Sequence, residues 1–509
     1  MIFRIIILII VFVFSITGAY SQEQDELSDK EISEAVDSEL WVHDDVPSHL
    51  IDVNTHEGIV TLTGTTNNIM AKERAKEVAM AVKGVRGVVN RIEVDAPDMD
   101  DMTLKKNIET ALLNDPAANS YQLNVEVNNG VVTLKGEVDS WQEKIIAEHV
   151  AKGVTGVTDV INRISFEYDP DRTDIEIEND IRAALENDVR VDADLIAVDI
   201  NNGMVTLSGT VGSGTEKSIA EMKSWVTGVR SVNTDKLEVN YWARNELIKK
   251  QRVEAKTDSE IEQAINDAFF YDPRVSYFNI DVDVNNGVAT LSGTVDNIVA
   301  KRAALADAKN IVGVYSVKNH LKVQPEDIPG NLTIEKRVNE AFAKNPFVEK
   351  FDIDVKAEQG VVTLYGMVDT YFEKYHADDV ASAVNGVIHV ENRIRVDDDM
   401  ALGSRVYDYD YYGWNSVYPT PYTGFADPIN IEKSDLELKE DIKKQLWWSP
   451  FVNESQVDVT VDDGVAILEG TVDTWNERVA ATQNAYEAGA KDVKNKLEVM
   501  EGSHNKINQ

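Results

Sequence analysis

One short phrase recurs six times along this chain of 509 residues, and each copy carries two glycines six residues apart. The copies run Gly58 to Gly64, Gly130 to Gly136, Gly203 to Gly209, Gly287 to Gly293, Gly360 to Gly366 and Gly464 to Gly470. An asparagine follows each first glycine by 32, 32, 30, 32, 32 and 31 residues: Asn90, Asn162, Asn233, Asn319, Asn392 and Asn495. Two landmarks at near-constant separation define a folded repeat, which decides the fold class before any single element does. The first glycines are spaced by 72, 73, 84, 73 and 104 residues. A unit of about 70 residues buries only about 60% of its unfolded surface, so six small cores are expected. The longer connectors group the first three repeats together and the next two together.

Within the second copy, Leu104, Ile108, Ala111 and Leu112 form an i, i+4, i+7, i+8 stripe with charge between them, an amphipathic helix. Val125 and Val127 then alternate with polar residues, Asn128-Asn129-Gly130 intervenes, and Val132, Leu134 and Val138 alternate again. Asn-Gly between alternating runs predicts a hairpin with a type I′ turn, which needs positive φ at both central residues. Asn202-Gly203, Asn286-Gly287 and Asp463-Gly464 repeat this chemistry, and Glu57-Gly58 and Gln359-Gly360 match it less well. Gly136 interrupts the second strand, where glycine marks a bulge or a close backbone approach; a crossing helix is expected there. Ser140 with Glu143 forms a capping box, repeated by Ser213 with Glu216, Thr370 with Glu373 and Thr474 with Glu477. A second helix follows, ended by Gly153 and Gly156, and then a strand over 157–164 that should pair in parallel after its helical crossover. The predicted fold class is α+β: six tandem α-β-β-α-β domains, each a three-stranded mixed sheet with two helices on one face.

Residues 1–21 read as a secretory signal, with Arg4 before an apolar run and small residues ahead of Gln22. The run is shorter than the roughly 20 residues that span a bilayer. The chain has no cysteine, which removes disulfides and thiolate metal sites and fits an exported periplasmic protein. A net charge of −39 repels nucleic acid and bare anionic lipid.

The hairpin phrase Asn-Gly-Val-Val-Thr-Leu-x-Gly-x-Val, the helix after it and the closing pattern at Gly156 to Ile164 resemble the BON domain. The resemblance covers residues 26–96, 100–168, 172–240, 257–324, 331–397 and 434–500, leaving a basic connector at 241–256 and a tyrosine-rich one at 398–433. It implies a non-catalytic envelope protein that associates with phospholipid surfaces, peripheral to a membrane, and supports the envelope under osmotic stress. The alternative is a soluble periplasmic scaffold or chaperone-like protein that binds other envelope proteins. It supplies no agreed active-site residues.

Candidate contacts come from three places. Ile69, Trp141, Gly214, Ile298, Tyr371 and Trp475 stand five residues after the second glycines, at the start of the second helix. The large apolar ones, with Trp141, Tyr371 and Trp475 foremost, either anchor to lipid or a partner or pack over their own hairpin. In the basic connector, Trp242, Lys249, Lys250 and Arg252 lie in the one stretch of this acidic chain that favours an anionic headgroup; the alternative is a solvated helical spacer. In the second connector, Tyr409, Tyr411, Tyr412, Trp414 and Tyr418 belong to a segment with six of the 17 tyrosines in 16 residues. It reads as a functional surface or as an ordered loop against a repeat.

Other motifs fail on their chemistry. Asp408-x-Asp410 starts like a calcium loop, but Pro419 stands where a bidentate Glu is needed. His43, His49 and His56 match no zinc spacing and read as surface residues. Gly209 and Gly214 have P-loop separation without the Lys that follows it. No catalytic constellation recurs, and no cofactor, metal, nucleic acid or small-molecule substrate is expected.

Overall fold

Each repeat folds in the order helix, hairpin, helix, strand. The computed structural model describes residues 27–115, 118, 123–166, 171–243, 256–275, 279–325, 327–349, 351–396, 433–449 and 451–500. The expected signal, Lys249, Lys250 and Arg252, and the tyrosine-rich segment lie outside the described residues.

In repeat 2 the first helix, Asp101–Asn114, buries Leu104, Ile108 and Leu112. Strands Asn124–Asn128 and Val131–Val138 pair antiparallel. The second helix is Trp141–Lys152, and strand Asp159–Phe166 pairs in parallel with Val131–Val138. The second hairpin strand is thus central, and both helices bury their stripes against one sheet face in a single cluster. The other repeats follow the same order, with the closing strand split into two segments in repeats 1, 4 and 6. Six apolar clusters form, one centred on each repeat.

The repeated residues have definite structural tasks. All six hairpin turns have positive φ at both central residues, including Glu57 and Gln359 at 51°. These two adopt the left-handed conformation despite costing about 1–2 kcal/mol more than glycine would, because the turn is clamped from outside. In repeat 3, for instance, the Asp174 carboxylate at the start of the first helix accepts the Asn202 and Gly203 N–H groups, both at 2.9 Å. Asp29, Asp101, Asp258 and Asp435 do the same in their repeats. The closing asparagine is a tie. Asn162 donates to Lys144 O in the second helix at 3.0 Å, and its Oδ1 accepts from Ile164 N at 3.1 Å.

Two local expectations are corrected. The second glycine makes room for a neighbouring strand, not for a crossing helix. A Cβ on Gly64 or Gly209 would stand 2.0 Å from the carbonyl oxygen of Leu50 or Leu195, the residue leading into the first hairpin strand. The capping box is complete at Ser140 and Thr370. Glu216 and Glu477 turn elsewhere: Glu216 accepts from Gly212 N and Asp192 N, and Glu477 from Asp473 N and Asn453 N.

The repeats pack helix side to helix side. Ile69 of repeat 1 enters the core of repeat 2, and Trp141 of repeat 2 packs on the core of repeat 3. Gly214 of repeat 3 meets Met80 of repeat 1, where a Cβ would lie 3.2 Å from the methionine side chain. Three repeats therefore close head to tail. Repeat 4 likewise sends Ile298 into the core of repeat 5, and Trp475 of repeat 6 lies 5.4 Å from the Lys309 ammonium of repeat 4. Repeat 6 thus joins repeats 4 and 5, a grouping the connector lengths did not suggest. The two groups pair 1 with 6, 2 with 5 and 3 with 4. Lys83 caps the Trp447 ring at 3.5 Å, Thr155 N donates to Lys344 O at 2.8 Å, and Val312 N donates to Asn187 O at 2.8 Å. Lys83, Thr155 and Val312 occupy the same position in their repeats.

Candidate functional site

With the helices turned inward, the exposed apolar groups follow the repeat. The second residue of the first helix is Met102, Ile175, Leu332 and Leu436 in repeats 2, 3, 5 and 6, exposed to 82%, 72%, 80% and 70%. Its helical neighbour, the turn-clamping residue, fixes the orientation of that first turn, so the four side chains are presented by rigid elements. Repeats 1 and 4 have Lys30 and Ser259 there. Sequence reasoning passed over this position because a single surface leucine carries no signal; alignment of the six copies exposes it. The outer sheet faces add Ile161, Met204 and Met367.

The helix-start aromatics are engaged within the chain. Trp141 stacks on Trp225 with centroids 4.9 Å apart and planes 4° from parallel. Gln142 beside it donates to Trp225 O at 2.7 Å. Trp475 is packed against the core of its own repeat and contacts Arg478 as well as Lys309. Tyr371 faces Tyr375 at 6.2 Å. Trp242 is exposed at the start of the basic connector. The structure does not gather these residues at one place.

The inter-repeat surfaces are polar as well as apolar. A cavity of about 260 Å³ lies between repeats 1, 2 and 5, lined among others by Arg74, Glu77, His149, Lys344 and His376. Burial pushes His149 down to about 3 and His376 down to about 4, so both imidazoles are neutral. His376 Nε2 lies 3.1 Å from Asn345 Oδ1. Burial likewise pushes Glu77 and Glu216 up to about 7, against the Arg74 charge at Glu77 and two backbone N–H groups at Glu216. Each of these acids keeps its proton to higher pH when folded than when unfolded. Their contribution to stability is full below the ordinary carboxylate range and is lost as pH rises from 4.5 to about 7. The buried imidazoles of His149 and His376 act in the opposite sense over the same interval. The acids are therefore read by difference: Glu77→Gln combined with Glu216→Gln should move the melting midpoint further upward, relative to the wild type, at about pH 8 than at about pH 5. An equal shift at both pH values would contradict the burial of these acids.

Repeated α+β modules with inward helices and outward sheets make this an array of small tandem domains. The chain belongs to the BON domain family, whose profile matches residues 28–96, 100–168, 173–241, 257–325, 331–398 and 434–501. It is 35% identical over 143 residues to osmotically-inducible protein Y of Escherichia coli, covering 27% of this chain and 71% of that protein. It is 29% identical over 161 residues to the outer membrane lipoprotein DolP of Haemophilus influenzae, covering 30% and 83%. Among solved structures, CdsD, a structural protein of the Chlamydia trachomatis type III secretion system, aligns at 16% identity over 48% of this chain and 95% of its own, with a TM-score of 0.13. No helix among the described residues is long and apolar enough to cross a membrane.

Proposed function

We propose that this chain is a periplasmic, non-catalytic array that associates with phospholipid surfaces at the cell envelope and supports the envelope under osmotic stress. The observation that carries the reading is the repeated exposure of Met102, Ile175, Leu332 and Leu436 on the first turns of four repeats. Each such side chain gains roughly 1.5–3 kcal/mol on full burial, too little to hold a protein alone. Linked sites act together and raise avidity by about 10²–10⁴. The acidic surface works against anionic lipid, and Lys249, Lys250 and Arg252 with Trp242 and Tyr409, Tyr411, Tyr412, Trp414 and Tyr418 are the proposed counterweight. The names of the relatives, an osmotically inducible protein and an outer membrane lipoprotein, support the compartment and the stress.

The test is vesicle flotation at physiological salt with zwitterionic and with anionic lipid. The chain should float, and serine at all four positions, or neutral replacement of the connector cations, should lower the bound fraction at least tenfold. Failure to float on either lipid would sink the membrane reading. The exposed outer sheet faces with Ile161, Met204 and Met367 favour a second reading, a soluble scaffold for other envelope proteins.

A further inference from the structure

We propose that Glu39, His43 and Glu487 form a zinc-type divalent cation site that clamps the first repeat to the sixth. Their ligand atoms all lie within 4.8 Å of one another. Each residue is at most 5% exposed. Glu39 Oε2, His43 Nδ1 and Glu487 Oε1 are buried without a hydrogen-bond partner. Leaving such polar atoms unsatisfied is expensive. Asp45 Oδ1 stands beside His43 Nδ1 at 3.9 Å, and the three residues bring one ligand atom each into a set of donors that lacks an acceptor of electron pairs.

The surroundings orient these donors as the outer shell of a metal site does. Asn484 Nδ2 donates to Glu487 Oε2 at 2.8 Å, which leaves Oε1 as the free oxygen. Gln445 hydrogen-bonds the Glu39 carboxyl in the same way from repeat 6. Arg74, the cation that reaches the cluster, is already committed to Asp45 and Glu77, each at 3.2 Å. Glu39 lies in the last turn of the helix Asp29–Trp41, and His43 follows its C-cap, Val42, by one residue. Glu487 ends the second helix of repeat 6, Trp475–Glu487.

Repeat 1 is alone in carrying these residues. The position of Glu39 is Ala111, Ala184, Ala268, Ala341 and Gln445 in the other repeats, and that of His43 is Asp115, Asp188, Asp272, Asn345 and Ser449. The junction of repeats 3 and 4 fills the equivalent place with backbone hydrogen bonds, Val312 N to Asn187 O and Val189 N to Asn310 O. One imidazole nitrogen with two carboxylate oxygens suits Zn²⁺, which binds both at about 2.0–2.2 Å. Tetrahedral donors bound at that length stand about 3.3–3.6 Å apart, so side-chain adjustments that close the separation of at most 4.8 Å by up to about 1.5 Å complete the set. Ca²⁺ and Mg²⁺ take oxygen ligands only and are disfavoured by the imidazole.

The experiment is calorimetric titration of the full chain with Zn²⁺ after EDTA treatment, in excess Mg²⁺ to occupy surface carboxylates. One saturable zinc site per chain is expected, with a raised melting midpoint. His43→Gln and Glu487→Gln, at opposite ends of the chain, should each weaken it at least a hundredfold while the far-ultraviolet circular dichroism is unchanged. Absence of a saturable site in the wild type overturns the proposal, whatever the variants do. So does equal zinc affinity in both folded variants.

Discussion

Gly209→Ala is expected to destabilise repeat 3 by about 4 kcal/mol or more, among the largest effects of a one-carbon change. Two costs add. Gly209 sits at φ +123°, a conformation L side chains rarely adopt, and the new Cβ would stand 2.0 Å from Leu195 O. That oxygen belongs to the backbone leading into strand Ile196–Asn201, which pairs along its whole length with residues Met204 to Gly209. Relief requires the hairpin to part, and parting it uncovers Val198, Val205 and Leu207 in the core of the repeat. Gly87→Ala is the internal control. Its Cβ would meet nothing within 4 Å, so a change within about 0.5 kcal/mol is expected. Hydrogen exchange of the repeat 3 amides in the full chain reads the difference. Equal protection in the two variants would show that the hairpin absorbs the methyl group.

The elements visible in the sequence are those set by neighbours in the chain. Alternation on either side of Asn129-Gly130 and the stripe from Leu104 to Leu112 depend on residues a few positions apart, and the structure reproduces both. The purpose of the second glycine was hidden because its neighbour, Leu195 for Gly209, acts through a carbonyl that every residue possesses. The association of the repeats was hidden for a different reason. It rests on pairs such as Trp141 with Trp225 and Glu39 with Glu487, whose members obey no spacing rule. His43 illustrates the consequence. With His49 and His56 it read as a surface histidine; those two are exposed, but His43 is buried, because repeat 6 covers it. The glutamate completing its cluster lies at the other end of the protein.

Arg274→Met should loosen the junction of the two groups of repeats, at a cost of about 3–5 kcal/mol. Arg274 and its counterpart Arg190 are buried at the contact of repeats 4 and 3, held by Asp272 and Asp188. Lys223 lies 3.4 Å from Asp188, and Asp307 hydrogen-bonds Asp272. Burial and the neighbouring Asp272 push the Asp307 carboxyl well up, so it keeps its proton and donates it to Asp272, and two carboxylates face three cations in a small volume. Burial works to raise the Asp188 carboxyl, yet Arg190 and Lys223 together hold it down to about 2. That contribution persists at neutral pH and is lost only as pH falls from about 4 towards 2. Removal of one guanidinium leaves Asp272 buried beside Asp307 without its cation, and the penalty is that of an uncompensated charge. Asp272→Leu combined with Arg274→Met should recover more than half of the loss, since an apolar pair replaces a buried ion pair at little cost. The exposed pair Arg393 with Glu391, at 2.7 Å, provides the contrast: Arg393→Met should change stability by less than about 1 kcal/mol. Because each repeat has its own core, Arg274→Met should keep its far-ultraviolet circular dichroism while small-angle scattering reports a larger radius of gyration. An unchanged radius, with unchanged melting, would mean that the backbone bonds of Asn187 and Asn310 suffice to hold the two groups together.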